Sequence, residues 1–399
     1  MEQEVIQPGG GAVSDQLVVI ARLRRLLDGV MRIDQHEVLR QPDEAIAFRG
    51  QVYGDVEETF ERISQRFADV GYTVLLHARP DGGHEVIATK GVIERKSGRV
   101  WLNLVLFLTT VLMVLYIGAG YGMGDANISI DESSPLDVWL APLRYIHLGI
   151  PFAATLMGIL LAHELSHYFV ARRYGSPVSL PYFIPFPNFL GTMGAVIVQR
   201  AHMRSRKAVF DIGIAGPLGG LIVAIPLLVV GLALSEVRLP PPDVEVVFQE
   251  GNSLLYLGLK YMIFGRILPS NGEDVWLHSV AFAAWAGLLV TMINLVPLGQ
   301  LDGGHVSYAL LGRRSWTLGY VLMLAMVVLG VVLLLSGNQM AGWFWLVWSF
   351  LNFSLNRRHP PPLNDATKLD WPRVVLGVFM LVVFVLLFMP MPYLIKSVS

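Results

Sequence analysis

Long apolar runs separated by short charged segments fill the chain from residue 99 onwards, whereas the first quarter has no such run. Residues 1–16 are polar and Gly-rich, and residues 17–98 mix charged and apolar positions. A membrane-spanning helix needs roughly 20 mainly apolar residues, and only the later segment supplies them. We therefore predict a disordered N-terminus over 1–16, a soluble domain over 17–98 and a transmembrane domain over 99–399.

The soluble segment carries the periodicities of both strands and helices. "AFRGQVYG" at 47–54 and "YTVLLHA" at 72–78 are typical of strands. Between them, Asp55 is placed to cap a helix that Gly71 would end. One face of that helix carries Phe60, Ile63, Phe67 and Val70. The pattern predicts a small α+β domain.

Seven apolar segments have the length or composition of membrane spans. They are 101–122, 144–170, 208–234, 277–298, 316–336, 340–355 and 373–395. The 340–355 segment is short and aromatic, which favours little tilt or local thinning of the bilayer. The predicted fold class is a polytopic α-helical membrane protein with about seven spans, joined to the small N-terminal α+β domain.

Two apolar segments do not fit a simple span. "VSLPYFIPFPNFLGTMGAVIVQR" at 178–200 is interrupted by Pro181, Pro185 and Pro187. Irregular backbone at membrane depth is tolerated only where protein or a water-filled cavity satisfies it, so we predict a re-entrant loop or short β-hairpin beside the functional site. The 238–276 segment contains "LLYLGLKYMIFGRIL", which predicts an interfacial helix.

The distribution of charge sets the expected orientation. Basic clusters lie at alternate ends of the apolar segments, at Arg95/Lys96/Arg99, Arg172/Arg173, Arg204/Arg206/Lys207, Arg313/Arg314 and Arg357/Arg358. Cytoplasmic loops carry an excess of Lys and Arg, so we expect the soluble domain in the cytoplasm and the C-terminus outside. The first residues carry Glu2 and Glu4 without a basic stretch, which predicts neither a signal nor a transit peptide. Together these features favour a bacterial cytoplasmic membrane, with the site towards the cytoplasm.

Composition agrees with a membrane protein and limits the possible chemistry. Hydrophobic residues make up 54% of the 399 residues and charged residues 15%, and the mean hydropathy is +0.54. The net charge of −1 gives no basic excess that would favour nucleic acid. The absence of cysteine excludes disulfides, thiolate metal ligands and a cysteine nucleophile. Any bound metal must therefore be held by His, Asp or Glu.

The 144–170 segment contains three ionisable side chains within five positions, in the motif HELSH. His163 and His167 are one helical turn apart, which is the spacing that lets two imidazoles bind one zinc ion. Glu164 beside them could act as the general base of a hydrolytic reaction. The alternative, two structural histidines and a surface glutamate, would require water that the bilayer does not provide.

A catalytic zinc ion usually takes three protein ligands, so a third ligand is expected in another segment. The candidate segment is "NLVPLGQLDGGH" at 294–305, where proline and glycine residues break the helix next to Asp302. His305 is the competing ligand. HELSH and this break both precede arginine pairs by several residues, which predicts a similar depth in the membrane.

These two motifs together resemble the site-2 protease family of intramembrane zinc metalloproteases, whose patterns are H-E-x-x-H and N-x-x-P-x-P-x-L-D-G. The second pattern is matched by Asn294, Pro297, Leu301, Asp302 and Gly303. It departs at residue 299, where glycine replaces proline. The segments "ARRYG", "SLPYFIPFP", "GTMGAVI" and "FDIGIAGPLGG" resemble the branch that lacks a PDZ domain and has prokaryotic and plastid members.

The resemblance implies zinc as the cofactor, with His163, His167 and Asp302 as ligands and Glu164 as the general base. It makes Asn294 a candidate donor to the substrate carbonyl, although a bond to backbone carbonyls freed by the helix break is an equal alternative. The implied activity is that of a zinc metalloendopeptidase in regulated intramembrane proteolysis. Its expected partners are the lipid bilayer and single-span helical substrates, and no nucleic acid.

Two other functions are compatible with part of the pattern. A membrane metal-ion transporter could use the histidines and Asp302 as a permeation site. Such proteins usually contain internal repeats, which this sequence lacks, and transport gives Glu164 no role. An inactive scaffold is disfavoured because all the expected catalytic residues are present.

Two further features of the 208–234 segment are interpreted structurally. Asp211 stands at the start of the predicted helix, where an acidic group is favourable with the helix dipole. The glycines of "AGPLGG" at 215–220 are small residues that let helices approach closely, which indicates packing.

Overall fold

The computed structural model describes residues 10–39, 45–91, 99–128, 130, 134–199, 202–240, 246–355 and 358–397. The chain divides into two compact units. The first comprises residues 1–96 with the short stretches 201–207 and 361–369, and the second comprises residues 97–200, 208–360 and 370–399. Both sequence motifs lie in the second unit.

The first unit is built on a four-stranded antiparallel sheet with strand order β1-β2-β4-β3. Its elements are α1 (Gly10–Leu26), β1 (Met31–Leu39), β2 (Ala45–Val52), α2 (Val56–Ala68), β3 (Tyr72–Ala78) and β4 (His84–Lys90). The predicted strands at 47–54 and 72–78 correspond to β2 and β3. Residues 10–16, predicted to be disordered, form the start of α1, and residues 1–9 lie outside the described residues.

One apolar core joins both helices of the first unit to the sheet. Phe60, Ile63 and Phe67, predicted to share one face of α2, are all in this core. Asp55 caps α2 as expected, since its carboxylate accepts hydrogen bonds from the amides of Glu57 and Glu58 at 3.0 and 2.9 Å. Amphipathic spacing and an N-cap thus account for the position and the start of α2.

Two stretches from much later in the chain complete the first unit. The Leu76 amide of β3 donates to the Leu363 carbonyl at 2.7 Å, and the Asp365 amide donates to the Leu76 carbonyl at 2.9 Å. These bonds cover the edge of β3 that β4 leaves open. In the other stretch, Lys207 forms an ion pair with Glu57 at 2.6 Å. The folded domain therefore includes segments that adjoin α-helices of the second unit in sequence.

The second unit is mostly helical, with short strands between the helices. Its elements are α3 (Val100–Asp125), α4 (Pro135–Arg144), α5 (Ile150–Arg173), β5 (Tyr182–Pro185), β6 (Thr192–Val196), α6 (Arg206–Ala233), β7 (Glu236–Arg238), β8 (Val246–Glu250), α7 (Leu254–Phe264), β9 (Asp274–Trp276), α8 (Ser279–Asn294), α9 (Asp302–Leu311), α10 (Arg314–Leu335), α11 (Gln339–Leu355), α12 (Trp371–Leu387) and β10 (Tyr393–Ser397). A 3-10 turn at Ile146–Gly149 precedes α5.

Four of these helical segments are long and apolar enough to cross a membrane: Val100–Asp125, Ile146–Arg173, Arg206–Ala233 and Arg314–Leu335. The other three predicted spans correspond to α8, α11 and α12, which have only 16, 17 and 17 residues. The total of seven spans therefore stays a prediction. The interfacial helix expected within 238–276 corresponds to α7.

The Pro-rich segment forms a β-hairpin, in which β5 and β6 pair antiparallel. The side chain of Asn103 on α3 donates to the Leu180 carbonyl at 2.9 Å, before β5. The Tyr121 hydroxyl of the same helix donates to the Phe189 carbonyl at 2.8 Å, near the tip. Gly191 lies so close to α3 that an added Cβ would be 2.9 Å from a backbone oxygen, and its φ of +76° also favours glycine. The hairpin is thus attached to α3 at both ends.

We expect Asp55→Ala to lower the local stability of α2 by about 1 kcal/mol, because two amide hydrogens lose their acceptor. Asp69→Ala at the other end of the helix is the matched control and should be neutral or slightly stabilising. Hydrogen exchange of the α2 amides in the full-length protein, followed by mass spectrometry, measures the local stability of α2 in both variants. Equal exchange rates in the two variants would contradict the capping role of Asp55.

Candidate metal centre

Two histidine rings on α5 direct their Nε2 atoms towards each other. His163 and His167 lie one turn apart in the last half of the helix, and their Nε2 atoms are 3.2 Å apart. The side chains are only 5% and 12% exposed. Placing two imidazoles this close in a buried position is unfavourable unless a shared partner satisfies both.

Asp302 is the third member of the cluster and comes from a different helix. It is the first residue of α9. Its Oδ2 atom lies 3.1 Å from Nε2 of His163, and its Oδ1 atom lies 3.2 Å from Nε2 of His167. The tertiary structure therefore brings together the three side chains that were proposed as ligands from the sequence.

The loop between α8 and α9 and the start of α9 each depend on a glycine. Gly299 has a φ of +54°, which proline cannot adopt because its ring holds φ near −65°. An added Cβ on Gly303 would lie 2.0 Å from the Leu295 carbonyl oxygen. The departure from the family pattern at residue 299 thus has a local consequence, namely a left-handed turn that leads into Asp302.

The spacing of the three donor groups fits a tetrahedral zinc site. An ion at about 2.0–2.1 Å from each donor puts neighbouring donors about 3.3 Å apart. The observed separations are 3.1, 3.2 and 3.2 Å. Two imidazoles and one carboxylate also match the donor set of catalytic zinc sites, which leave a fourth position open. Within the described part of the chain, no second group of three such residues lies this close together.

The tautomer of His167 also suits a metal ligand. Its Nδ1 atom lies 2.6 Å from the carbonyl oxygen of Ile212 on α6. A carbonyl oxygen only accepts hydrogen bonds, so Nδ1 carries the proton and donates it. The lone pair of Nε2 therefore faces Asp302 and His163, as ligation requires.

Helix α6 approaches the two histidines with its glycine residues. An added Cβ on Gly216 would lie 2.0 Å from Nε2 of His167, and one on Gly220 would lie 3.3 Å from Nδ1 of His163. The interpretation of these glycines as packing positions was therefore incomplete. Their packing partners are the candidate ligands themselves, which sequence spacing alone could not reveal.

Glu164 and Asn294 are the two other residues predicted to act at the site. Glu164 follows His163 on α5 and is 5% exposed. Asn294 is the last residue of α8, is half-buried, and begins the loop that leads to Asp302. Their roles as general base and carbonyl donor stay predictions.

His305, the competing ligand, lies outside the group of three donor residues. Its Nδ1 atom is 2.6 Å from Nε2 of His359, a residue that no sequence motif indicated. The ring of His359 in turn stacks on Tyr308 with centroids 4.5 Å apart. This geometry favours Asp302 over His305 as the third ligand.

Comparison with known proteins links this centre to one group of enzymes. The sequence pattern described as "Peptidase family M50" matches residues 151–336, which include all three candidate ligands. The Arabidopsis thaliana protein "Probable zinc metalloprotease EGY1, chloroplastic" is 27% identical, over 85% of this chain and 65% of that protein. "Probable zinc metalloprotease EGY2, chloroplastic" of Oryza sativa subsp. indica is 29% identical, over 97% of this chain and 69% of that protein. The chain thus spans about two thirds of the length of these relatives.

We expect Gly216→Ala to raise the zinc dissociation constant about tenfold or more, because His167 must move away from the new methyl group. Gly258→Ala on α7 is the matched control, since an added Cβ there meets no atom within 4 Å. Competition with a chromogenic chelator measures zinc affinity in both variants. If Gly216→Ala bound zinc as tightly as Gly258→Ala, His167 would not be a ligand in the observed position.

Proposed function

We propose that the chain is an intramembrane zinc metalloendopeptidase of the site-2 protease family, because residues 151–336 match peptidase family M50. The observation that carries this proposal is the triangle of donor atoms from His163, His167 and Asp302. Its relatives are likewise named probable zinc metalloproteases. Neither the family nor the relatives support the metal transporter considered from the sequence.

His163 and His167 would hold the ion through their Nε2 atoms, and Asp302 through a carboxylate oxygen. When bound, zinc supplies a Lewis acid that polarises a carbonyl group and makes water more acidic. The Ile212 carbonyl keeps the His167 ring in the required orientation. The chain itself contributes three donor side chains that are already positioned for the ion.

Glu164 is the proposed general base. It accepts a proton from the attacking water as the water oxygen bonds to the scissile carbonyl carbon. It then delivers that proton to the amine nitrogen as the carbon–nitrogen bond breaks. Asn294 is the proposed hydrogen-bond donor to the carbonyl oxygen, where negative charge develops during the attack.

The proposed substrates are single-span membrane helices, which must unwind before they can be cut. A helix hides its peptide bonds in hydrogen bonds between residues four apart. Strand β6 pairs with β5 on one side, and among the described residues no strand pairs with its other edge. We propose that an unwound substrate segment adds to that edge as a third strand.

The β5–β6 hairpin is proposed to be re-entrant at membrane depth. Asn103 and Tyr121 of α3, which bond its base and its tip, are eighteen residues apart. At 1.5 Å per residue this separation is about 27 Å, close to the roughly 30 Å of a bilayer core. Because α3 is a candidate span, these two bonds support a hairpin that extends through most of the apolar layer.

The seven-span topology and the orientation are part of the same proposal. Helices α8, α11 and α12 are short for spans, but neighbouring helices or local bilayer thinning can accommodate them. Arg172 and Arg173 end α5, and Arg313 and Arg314 precede or begin α10, which favours the cytoplasmic side for the metal centre. The relatives carry chloroplastic descriptions, and the bacterial membrane expected from the sequence stays a prediction.

We expect Glu164→Gln to bind zinc like the wild type and to lose at least about 100-fold in cleavage rate, because an amide of the same size cannot accept the proton. Zinc per chain and cleavage of a panel of single-span substrates are measured on purified full-length protein in liposomes. His163→Gln is the comparison variant and should lose zinc as well as activity. Unchanged cleavage by Glu164→Gln would contradict the mechanism, and metal transport without cleavage would favour the transporter.

We expect a cysteine at Met193 on β6 to crosslink to a cysteine in the unwound region of a helical substrate. The chain has no native cysteine, so the crosslink is specific. Met193 is 57% exposed, and Leu324 on α10, which is 65% exposed, is the matched control position. Both are tested in the Glu164→Gln background, which keeps the substrate intact. Equal crosslinking from the two positions would contradict strand addition to β6.

A further inference from the structure

Three polar side chains meet where α5 ends and where α6 and α12 begin. Arg373 of α12 donates from Nε to Oδ1 of Asp211 at 2.8 Å and from Nη2 to Oδ2 at 2.6 Å. The Tyr174 hydroxyl, directly after α5, donates to the same Oδ2 atom. We refer to Tyr174, Asp211 and Arg373 as the Arg373 clamp.

The geometry of the clamp is more restrictive than that of an ordinary surface ion pair. A guanidinium that contacts both oxygens of one carboxylate fixes distance and orientation together. The side chains of Asp211 and Arg373 are each only 25% exposed. Asp370 fixes the arginine from its other side, since it pairs with Nη1 and caps α12 through the Arg373 amide. The position of Asp211 relative to α12 is therefore closely defined.

The clamp lies beside the hydrogen bond that orients His167. Asp211 immediately precedes Ile212, whose carbonyl accepts the proton of His167 Nδ1. Tyr174 is seven residues after His167, which is two helical turns and so the same side of α5. The contact between α5 and α6 is thus held at two neighbouring points, one at His167 and one at Tyr174.

A favourable interaction with the helix dipole does not account for this arrangement. Asp211 is the sixth residue of α6, beyond the first turn in which the helix dipole acts most strongly. That interaction would also need no partner. It would require neither a bidentate arginine from α12 nor a tyrosine from the end of α5. Three elements converge on one carboxylate next to the carbonyl that sets the tautomer of a metal ligand.

We propose that Tyr174, Asp211 and Arg373 are positioning residues for the metal centre. They hold the first turns of α6 against α5, so that the Ile212 carbonyl keeps the lone pair of His167 Nε2 directed at the ion. None of the three touches the donor triangle, and their effect passes through the backbone of α6. This inference rests on the proposed function, since it assigns them to the same zinc site.

The test uses full-length Arg373→Gln, Asp211→Asn and the double variant. We expect each single variant to raise the zinc dissociation constant about tenfold. This is near the lower end of the loss seen when a residue that orients a metal ligand is removed. The zinc dissociation constant of the double variant should be no higher than that of either single variant, because both changes remove the same interaction. In cobalt-substituted protein, the visible absorption bands should shift, since they report ligand geometry at the metal. The kcat should fall more than the KM changes.

Two further variants separate positioning from general stability. Arg373→Lys keeps the positive charge but lacks the two guanidinium N–H groups that contact both oxygens of Asp211. It should therefore show a zinc affinity between those of the wild type and Arg373→Gln. Arg266→Gln is the matched control, because it removes another arginine ion pair of the second unit, that with Glu273 at 2.6 Å. It should leave zinc affinity and the cobalt spectrum unchanged.

Wild-type zinc affinity and an unchanged cobalt spectrum in the folded fraction of Arg373→Gln and Arg373→Lys would overturn the inference. The inference would also be overturned if the effects of the two substitutions on zinc affinity were additive in the double variant, because Asp211 and Arg373 would then act separately. If the wild type cleaves substrate while the clamp variants bind zinc normally, only the positioning role fails. A wild type that neither binds zinc nor cleaves would refute the proposed function and this inference together.

Discussion

The structure of the second unit depends on placing two imidazoles and a carboxylate within 3.1–3.2 Å of one another inside apolar helices. Ionisable groups are costly in such surroundings, and they persist there when a metal or a specific partner satisfies them. The surrounding backbone makes room for them at glycine positions. Gly216 allows α6 to approach His167, and Gly303 allows α9 to begin against the preceding loop. At these positions, the packing of the helices accommodates the three side chains.

Support for the centre comes from residues without any ligand chemistry of their own. The Ile212 carbonyl selects the tautomer of His167, and the neighbouring Asp211 is held by Arg373 and Tyr174. Helix α3 in turn holds the β5–β6 hairpin through Asn103 and Tyr121. If the chain cleaves helical substrates as proposed, the metal centre would supply the chemistry and the free edge of β6 would receive the unwound chain.

Much of this organisation could be predicted from residues close together in the sequence. The HELSH spacing, the glycine-rich break around Asp302 and the proline-rich segment each reflect local backbone rules. The cap at Asp55 and the apolar face of α2 could likewise be predicted from residues close together in the sequence. Helix α1 and strands β1 and β4 were not predicted, and α8, α11 and α12 proved short for spans. Hydropathy reports the composition of a segment, whereas helix ends are decided by packing and capping.

The sequence by itself determined that the chain is mostly helical with apolar candidate spans, together with the pair of metal-binding motifs and the family resemblance, because each depends on short-range spacing. The sequence and the family resemblance favoured Asp302 over His305 as the third ligand, and only the tertiary structure placed Asp302 beside the two histidines and His305 beside His359. The tertiary structure also paired Asp211 with Arg373, which lies 162 positions away. It joined residues 361–369 to the edge of β3 as well. These contacts form between segments remote in sequence, so no local periodicity encodes them.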